Sequence, residues 1–281
     1  MNLNPTKLKE LCRKYNLTPS KKYGQNFLIK DWPIKKMLEA AGVSKNDTVI
    51  EIGPGFGVLT FALAERAGRV IAFEIERKLE EYWEEIKDKR YEIRDKIEIK
   101  WGNALKKLES YKVESYKVVA NLPYQITSNV LRTLLELENP PQSITVMVQK
   151  EVAERICAEP GDMSLLSVAV QYYGEPKIVD IVTRGNFWPE PKVDSAILAI
   201  SKISRVSRLS SERFFRVVKA GFSSKRKQLA NNLATKLKVE SYKVKSILKE
   251  VCGNAKVRAE ELPVEDWLRV VEKLSHCDIG N

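Results

Sequence analysis

Histidine is nearly absent: the 281 residues contain one, His276, close to the C-terminus. A Ser-His-Asp triad, a His-rich zinc site and a two-His iron site are thereby excluded. The four cysteines, Cys12, Cys157, Cys252 and Cys277, are scattered, and no two form a CxxC pair. This excludes a zinc ribbon or a thioredoxin-like centre and fits small core residues in a reducing compartment. The neighbours His276 and Cys277 lack two further ligands beside them, so no metal is expected. No apolar run approaches the roughly 18 residues of a membrane span. The opening MNLNPTKLKELCRKY has no apolar core of a secretory signal. The expectation is a cytoplasmic protein without a membrane partner.

Positive charge is what the chain has in excess. Lys and Arg number 48 against 37 Asp and Glu, a net charge of +11. Hydrophobic residues make up 43%, enough for a sizeable core. The length suggests about two domains. The excess is not spread evenly. Residues 1–30 carry a net +6 and residues 202–245 a net +11, while residues 31–201 carry −4 and residues 246–281 carry −2. Two basic flanks around a mildly acidic middle point to a polyanionic partner, nucleic acid first.

Between 47 and 150, short β-branched runs alternate with amphipathic stretches. The runs DTVIEIG (47–53), RVIAFEI (69–75), KIEIKWG (96–102), YKVVA (116–120) and SITVMVQK (143–150) predict strands. The stretches VLTFALAERA, RKLEEYWEEIKDK, NVLRTLLELE and EVAERICAE predict helices between them. Such alternation implies βαβ units and a parallel sheet covered on both faces. LLSVAVQYYG predicts a further helix. EPKIVDIV and KVDSAILAISKI predict antiparallel edge strands. After about 205 only helices are expected, including one over KRKQLANNLATKL (225–237). The class is α/β, with a boundary near 204 that divides residues 1–204 from a small helical domain at 205–281. The pentapeptide ESYKV occurs at 109–113, 114–118 and 240–244, too short a period for a solenoid.

Two loops carry the chemistry. Glu51-Ile52-Gly53-Pro54-Gly55-Phe56-Gly57 closes the first strand and opens a helix. Glycines there let a ligand lie on bare backbone at a helix N-terminus. The spacing is GxGxG, neither the GxGxxG of a dinucleotide fold nor a P-loop. Glu74, 21 residues after Gly53, ends the second strand, where a carboxylate can accept both hydroxyls of a ribose. The pair suits NAD or S-adenosylmethionine, and its spacing leans to the latter. Asn121-Leu122-Pro123-Tyr124 follows the fourth strand. The Asn121 side-chain oxygen and the Leu122 carbonyl are two acceptors for the hydrogens of an exocyclic amine such as adenine N6. Held this way, the nitrogen lone pair is drawn out of the ring. Pro123 stiffens the turn and Tyr124 offers a ring for a base. Such chemistry needs alignment more than a strong base. Phe187, in the loop NFWPEPKVDSA (186–196), is a candidate second face for a flipped-out base, and Trp188 the better candidate for a hydrophobic plug.

With these residues in view, the chain resembles the ribosomal RNA adenine-N6,N6 dimethyltransferase family over roughly residues 20–235. The ordered motifs are GQNFL (24–28), EIGPGFGVLT (51–60), Glu74, GNAL (102–105), NLPY (121–124), NFWPEPKVDSA (186–196) and KRKQLANNL (225–233). The resemblance implies a Rossmann-like S-adenosylmethionine-dependent methyltransferase domain and a helical RNA-binding domain. It implies dimethylation of two adjacent adenosines in the 3′-terminal hairpin of small-subunit rRNA during ribosome assembly. The implied cofactor contacts are Gln25, Asn26, Leu28, Gly53, Gly55, Glu74, Asn103 and Asn121. Asn121, Leu122, Pro123, Tyr124 and Phe187 would serve the target adenosine, and Lys225, Arg226 and Lys227 the RNA phosphates. The partner is assembling small-subunit rRNA and the chain is expected to be a monomer.

Two positions depart from the family pattern. Asn103 stands where the family usually has Asp, an uncharged acceptor in place of a charged one. Residues 162–167 lack the usual Tyr-Gly. The alternatives are a resistance-type large-subunit rRNA adenine dimethylase, a non-catalytic methyltransferase-fold assembly or transcription factor, and a DNA adenine methyltransferase. The VDSA and KRKQLANNL signatures lean to the small subunit.

Overall fold

The computed structural model describes residues 3–19, 24–108, 113–204 and 208–275. His276, Cys277, Lys21, Lys22 and most of the first ESYKV copy lie outside them. The chain divides into two compact units: residues 1–153 with 175–203, and residues 154–174 with 204–281.

The first unit is built on a seven-stranded sheet. Strands β1 (Phe27–Leu28), β2 (Thr48–Ile52), β3 (Arg69–Glu74), β4 (Ile97–Trp101), β5 (Lys117–Asn121), β6 (Ser143–Gln149), β7 (Glu175–Val182), β8 (Phe187–Trp188) and β9 (Ser195–Ser201) follow in chain order. The sheet runs β4-β3-β2-β5-β6-β9-β7, with β1 and β8 forming a separate pair. The first five of these strands pair in parallel, and β9 and β7 add antiparallel at one edge. Parallel strands are covered on both faces, so they read as unbroken apolar runs. Val70, Ile71, Ala72, Val118, Val119 and Ala120 are all fully buried.

The order of strands places the site. From β2 the chain winds outward through β3 and β4, then returns to lay β5 on the other side of β2. The carboxyl ends of β2 and β5 are therefore neighbours at the reversal point, where open α/β sheets bind ligands. The glycine loop leaves β2 and the NLPY turn leaves β5.

The N-terminal basic segment forms a helix, Pro5–Lys14, capped by Asn4 accepting from the Lys7 N–H at 2.9 Å. Leu3, Leu8, Cys12, Tyr15 and Leu17 enter the same core as the sheet. Lys14 is held by Glu85 at 2.6 Å. The apolar residues at helical spacing decide this, and part of the +6 decorates a packed helix.

The second unit is helical and departs from the expected division at 204, because residues 154–174 belong to it. Met163 and Val168 pack in one cluster with Phe214, Val217, Leu233 and Trp267. The N–H groups of Gly161 and Met163 both donate to the Glu260 carbonyl. The amphipathic helix Leu165–Tyr173 thus finds its apolar partners in the distant tail. The helix predicted over 225–237 begins only at Leu229. Asn232 is the reason: its buried amide donates to the carbonyls of Gly221 at 2.7 Å and Ser224 at 2.9 Å. This holds residues 222–228 as a loop, in which Lys225, Arg226 and Lys227 are all exposed.

Among the described residues no helix is long and apolar enough to cross a membrane. No three His, Cys, Asp or Glu side chains among them cluster as metal ligands. Cys12 is buried, and Cys157 and Cys252 are half-buried.

Candidate active site

The glycine loop is shaped by left-handed backbone at Gly53, Gly55 and Gly57. Above Gly53 there is open space: a Cβ built there meets nothing within 4 Å. Beneath the loop, Tyr82 and Trp83 are buried and use their polar ends on it. The Tyr82 hydroxyl donates to the Phe56 carbonyl at 2.8 Å, and the Trp83 indole N–H to the Gly55 carbonyl at 3.1 Å. Neither residue was expected at the site. Two consecutive aromatics inside the charged helix Glu80–Lys89 are the sequence signal for them.

Glu74 ends β3 and is 4% exposed. Its Oε2 accepts from the Gly55 N–H at 3.0 Å, and its Oε1 accepts from the N–H groups of Ile75 and Glu76, both at 2.8 Å. Burial pushes its pKa up, and these three N–H donors hold it back down. Oε2 keeps a free acceptor site beside the loop. Ile75, the next residue, is 48% exposed. The Gly102 N–H donates to the Glu74 carbonyl at 2.6 Å and brings the GNAL turn alongside. An apolar surface thus adjoins the carboxylate, which the sequence motifs had not indicated.

Asn103 is exposed in that turn. Its Oδ1 takes the Leu105 N–H at 3.0 Å and caps the short helix Ala104–Leu108. The oxygen expected to serve a ligand amine is thus partly used by the protein. The amide nitrogen is without a partner among the described residues.

Glu51 lies within β2 at 1% exposure, and its Oε2 has no hydrogen-bond partner among the described residues. Burial pushes its pKa up to about 8, and the negative Glu74 adds to the shift. The folded value exceeds the ordinary value of 4.5, so folding takes up a proton in between. The stability this contributes is complete below about pH 4.5 and is lost as the pH rises to about 8. Glu51→Gln, a neutral isostere, is expected to gain on the parent by about 1.4 kcal/mol per pH unit across that window and to level off above it. Denaturant unfolding of both chains at a series of pH values reads the difference. A difference that does not change with pH would mean Glu51 is ionised throughout.

The NLPY turn is held at each residue. Asn121 Nδ2 donates to the Asn26 carbonyl at 3.2 Å, which orients the amide and leaves Oδ1 without a partner among the described residues. The buried Leu122 donates its N–H to the Met147 carbonyl at 3.1 Å. No described donor reaches its own carbonyl. The Pro123 carbonyl, by contrast, accepts from Ile126 N–H at 3.1 Å. Tyr124, half-buried, shares a hydrogen bond of 2.7 Å with the Ser195 hydroxyl, and burial raises its pKa. Ser195 belongs to the NFWPEPKVDSA segment, so the tyrosine is tethered to a second motif.

GQNFL works as a clasp between the two loops. Gly24 packs so closely on the NLPY turn that a Cβ there would stand 2.9 Å from Pro123 Cβ and 3.1 Å from Pro123 Cα. Asn26 holds Asn121. Phe27 lies over Gly55, with its Cε1 at 3.0 Å from where a Cβ would be, and its ring centroid is 5.1 Å from that of Phe56. Gln25 is half-buried in the same segment, and Leu28 is buried and pairs with Phe187.

The last expected clamp is placed differently. Phe187 is 3% exposed and belongs to the core cluster, whereas Trp188 is half-buried. Alternation in the β1–β8 pair sends these neighbours to opposite sides. Phe187 is therefore the plug and Trp188 the more open ring, the reverse of the expectation. Asn186 anchors this pair: it accepts from the Trp32 indole N–H at 2.9 Å and donates to the Thr183 carbonyl and hydroxyl at 2.9 Å.

Two kinds of comparison bear on this site. The chain matches the family described as "Ribosomal RNA adenine dimethylase" over residues 16–276. It is 42% identical over 264 residues to "Ribosomal RNA small subunit methyltransferase A" of Dehalococcoides mccartyi, covering 92% of this chain and 89% of that one. To the protein of the same name in Alkaliphilus oremlandii it is 39% identical over 275 residues, covering 94% of each. Among solved structures, a dimethyladenosine transferase from Plasmodium falciparum superposes with a TM-score of 0.77 at 25% identity, covering 90% of this chain and 98% of that one. The 23S rRNA methyltransferase ErmE gives 0.70 at 27% identity, covering 89% and 100%.

Proposed function

The chain belongs to the ribosomal RNA adenine dimethylase family, and we propose that it transfers methyl groups from S-adenosylmethionine to N6 of adenosines in small-subunit rRNA. It is an rRNA adenine dimethyltransferase of the small-subunit type. The finer reading is dimethylation of two adjacent adenosines in the 3′-terminal hairpin during assembly, by a monomer.

The observation that carries the mechanism is the Asn121 amide, turned by the Asn26 carbonyl so that Oδ1 remains a free acceptor. With the Leu122 carbonyl it offers two acceptors to the two hydrogens of adenine N6. An aromatic amine is a poor nucleophile because its lone pair is delocalised. Accepting both hydrogens favours a tetrahedral nitrogen and localises that pair. Pro123 keeps the turn rigid, and the tethered Tyr124 gives the base a stacking face. The alignment is fixed before the substrate arrives.

The residues present fit the methyl donor. Open space over Gly53, a free acceptor site on Glu74 Oε2 and the exposed Ile75 suit its backbone, its ribose and the flat face of its adenine. Asn103 can donate from its free amide nitrogen to an adenine ring nitrogen. When bound, S-adenosylmethionine supplies a methyl group on a positively charged sulfur. The chain's part is to orient the amine and exclude water.

The test is labelled methyl transfer to both subunits. Immature small subunits are expected to accept label on adenosine N6, and large subunits are not. Label on 23S rRNA alone would favour the reading that the fold shared with ErmE allows.

A further inference from the structure

Tyr242 is 66% exposed, more than any other large hydrophobic side chain among the described residues. It belongs to the third ESYKV copy. In the second copy the matching Tyr116 is buried, with its hydroxyl on the Asn139 carbonyl at 3.0 Å. The pentapeptide therefore does not set the exposure; the helix Ser241–Cys252 does. That helix buries Val244, Ile247 and Leu248. Tyr242, Lys245, Ser246 and Lys249, at i, i+3, i+4 and i+7, share the opposite face and are all exposed.

A lone exposed tyrosine is ordinary on a protein surface. This one stands in a stretch, residues 236–249, that has five lysines and one acidic residue. That acid, Glu240, pairs with Lys243 at 2.8 Å. The Lys243 ammonium lies 5.9 Å from the ring centroid. Glu250, the next acid along, is taken by Lys273 at 2.6 Å. No described acid pairs with Lys245 or Lys249. A flat exposed ring beside unneutralised cations matches a nucleotide: the base stacks and the phosphates meet the ammonium groups. A membrane surface would need further apolar side chains on the same helix face, and there are none.

We propose that this face of the helical unit is a second RNA contact. In it Tyr242 stacks on an unpaired base of the rRNA, and Lys245 and Lys249 hold the flanking phosphates. The proposal rests on the rRNA reading above. Its test is the affinity of the full chain for a labelled small-subunit 3′-terminal rRNA hairpin with its flanking single strands, measured across a salt series. Tyr242→Ala is expected to weaken binding about tenfold with an unchanged salt slope, and Tyr242→Phe to bind like the parent. Lys245→Gln with Lys249→Gln should instead flatten the slope by about one to two. Parent-like binding by Tyr242→Ala, or an equal loss in Tyr242→Phe, overturns the stacking role. Retention of the parent but not Tyr242→Ala by phosphatidylserine vesicles, with RNA binding equal in both, would assign the face to a membrane. A parent that methylates the rRNA yet is indifferent to Tyr242 overturns this contact alone. A parent that neither binds nor methylates overturns the reading beneath it as well.

Discussion

Asn121→Ala is expected to lower kcat for adenosine methylation by about 10²–10³, the range seen when one preorganised polar group is removed from a reacting centre. The reason is geometric. Asn121 Nδ2 donates to the Asn26 carbonyl at 3.2 Å, so the oxygen faces the substrate without any reorganisation at the moment of reaction. Alanine leaves the amine with the Leu122 carbonyl alone. Affinity for S-adenosylmethionine should change by less than about tenfold, since at most one neutral hydrogen bond to it is lost. Asn121→Asp separates the two functions of the amide. The carboxylate can still accept, but it turns an oxygen toward the Asn26 carbonyl and loses the bond that aims it. Its activity should fall between the parent and the alanine variant. Single-turnover transfer at saturating donor, with donor affinity measured separately by calorimetry, resolves these effects. Full activity in Asn121→Ala would remove the NLPY turn from the chemistry.

Neutralising Lys225, Arg226 and Lys227 together should flatten the dependence of log affinity for rRNA on log salt by about 2 to 3. Each cation that meets a phosphate releases one condensed counterion, worth about 0.7–0.9 in the slope. The loop is built to present charge. Asn232 pins its first half through the Gly221 and Ser224 carbonyls, and the Lys227 N–H donates to the Ser224 carbonyl at 3.2 Å. None of the three side chains is buried, so the melting temperature of the triple variant should match the parent's. Unchanged salt dependence would reduce this cluster to solubility. The experiment differs in kind from the Tyr242 one: charges change the slope, a stacked ring changes the affinity at every salt concentration.

Much of the fold was legible because parallel strands buried on both faces are mostly apolar. TVIEI, RVIAFE and KVVAN could be read for that reason alone. The antiparallel edge was equally visible, since two strand runs followed each other without a helix between them. What could not be read were pairings across long separations. Residues 154–174 carry a good amphipathic helix, but nothing local says whether its apolar face meets the sheet or the distant tail. The start of the helix at Leu229, rather than 225, depends on one buried amide reaching back 11 residues. Phe187 and Trp188 are adjacent aromatics, and only the register of β8 against β1 decides which is buried.

The sequence by itself determined the chemistry available: a glycine loop followed by a strand-end carboxylate, an Asn-Leu-Pro-Tyr turn, no usable histidine and two basic flanks. These are properties of residue types and local spacing. The tertiary structure alone decided that they form one site. Asn26 and Asn121 are 95 residues apart, and their contact exists because β2 and β5 lie side by side at the point where the sheet reverses its winding. A hydrogen bond constrains an amide only when its partner is already fixed, and the GQNFL clasp is fixed by packing on both loops at once.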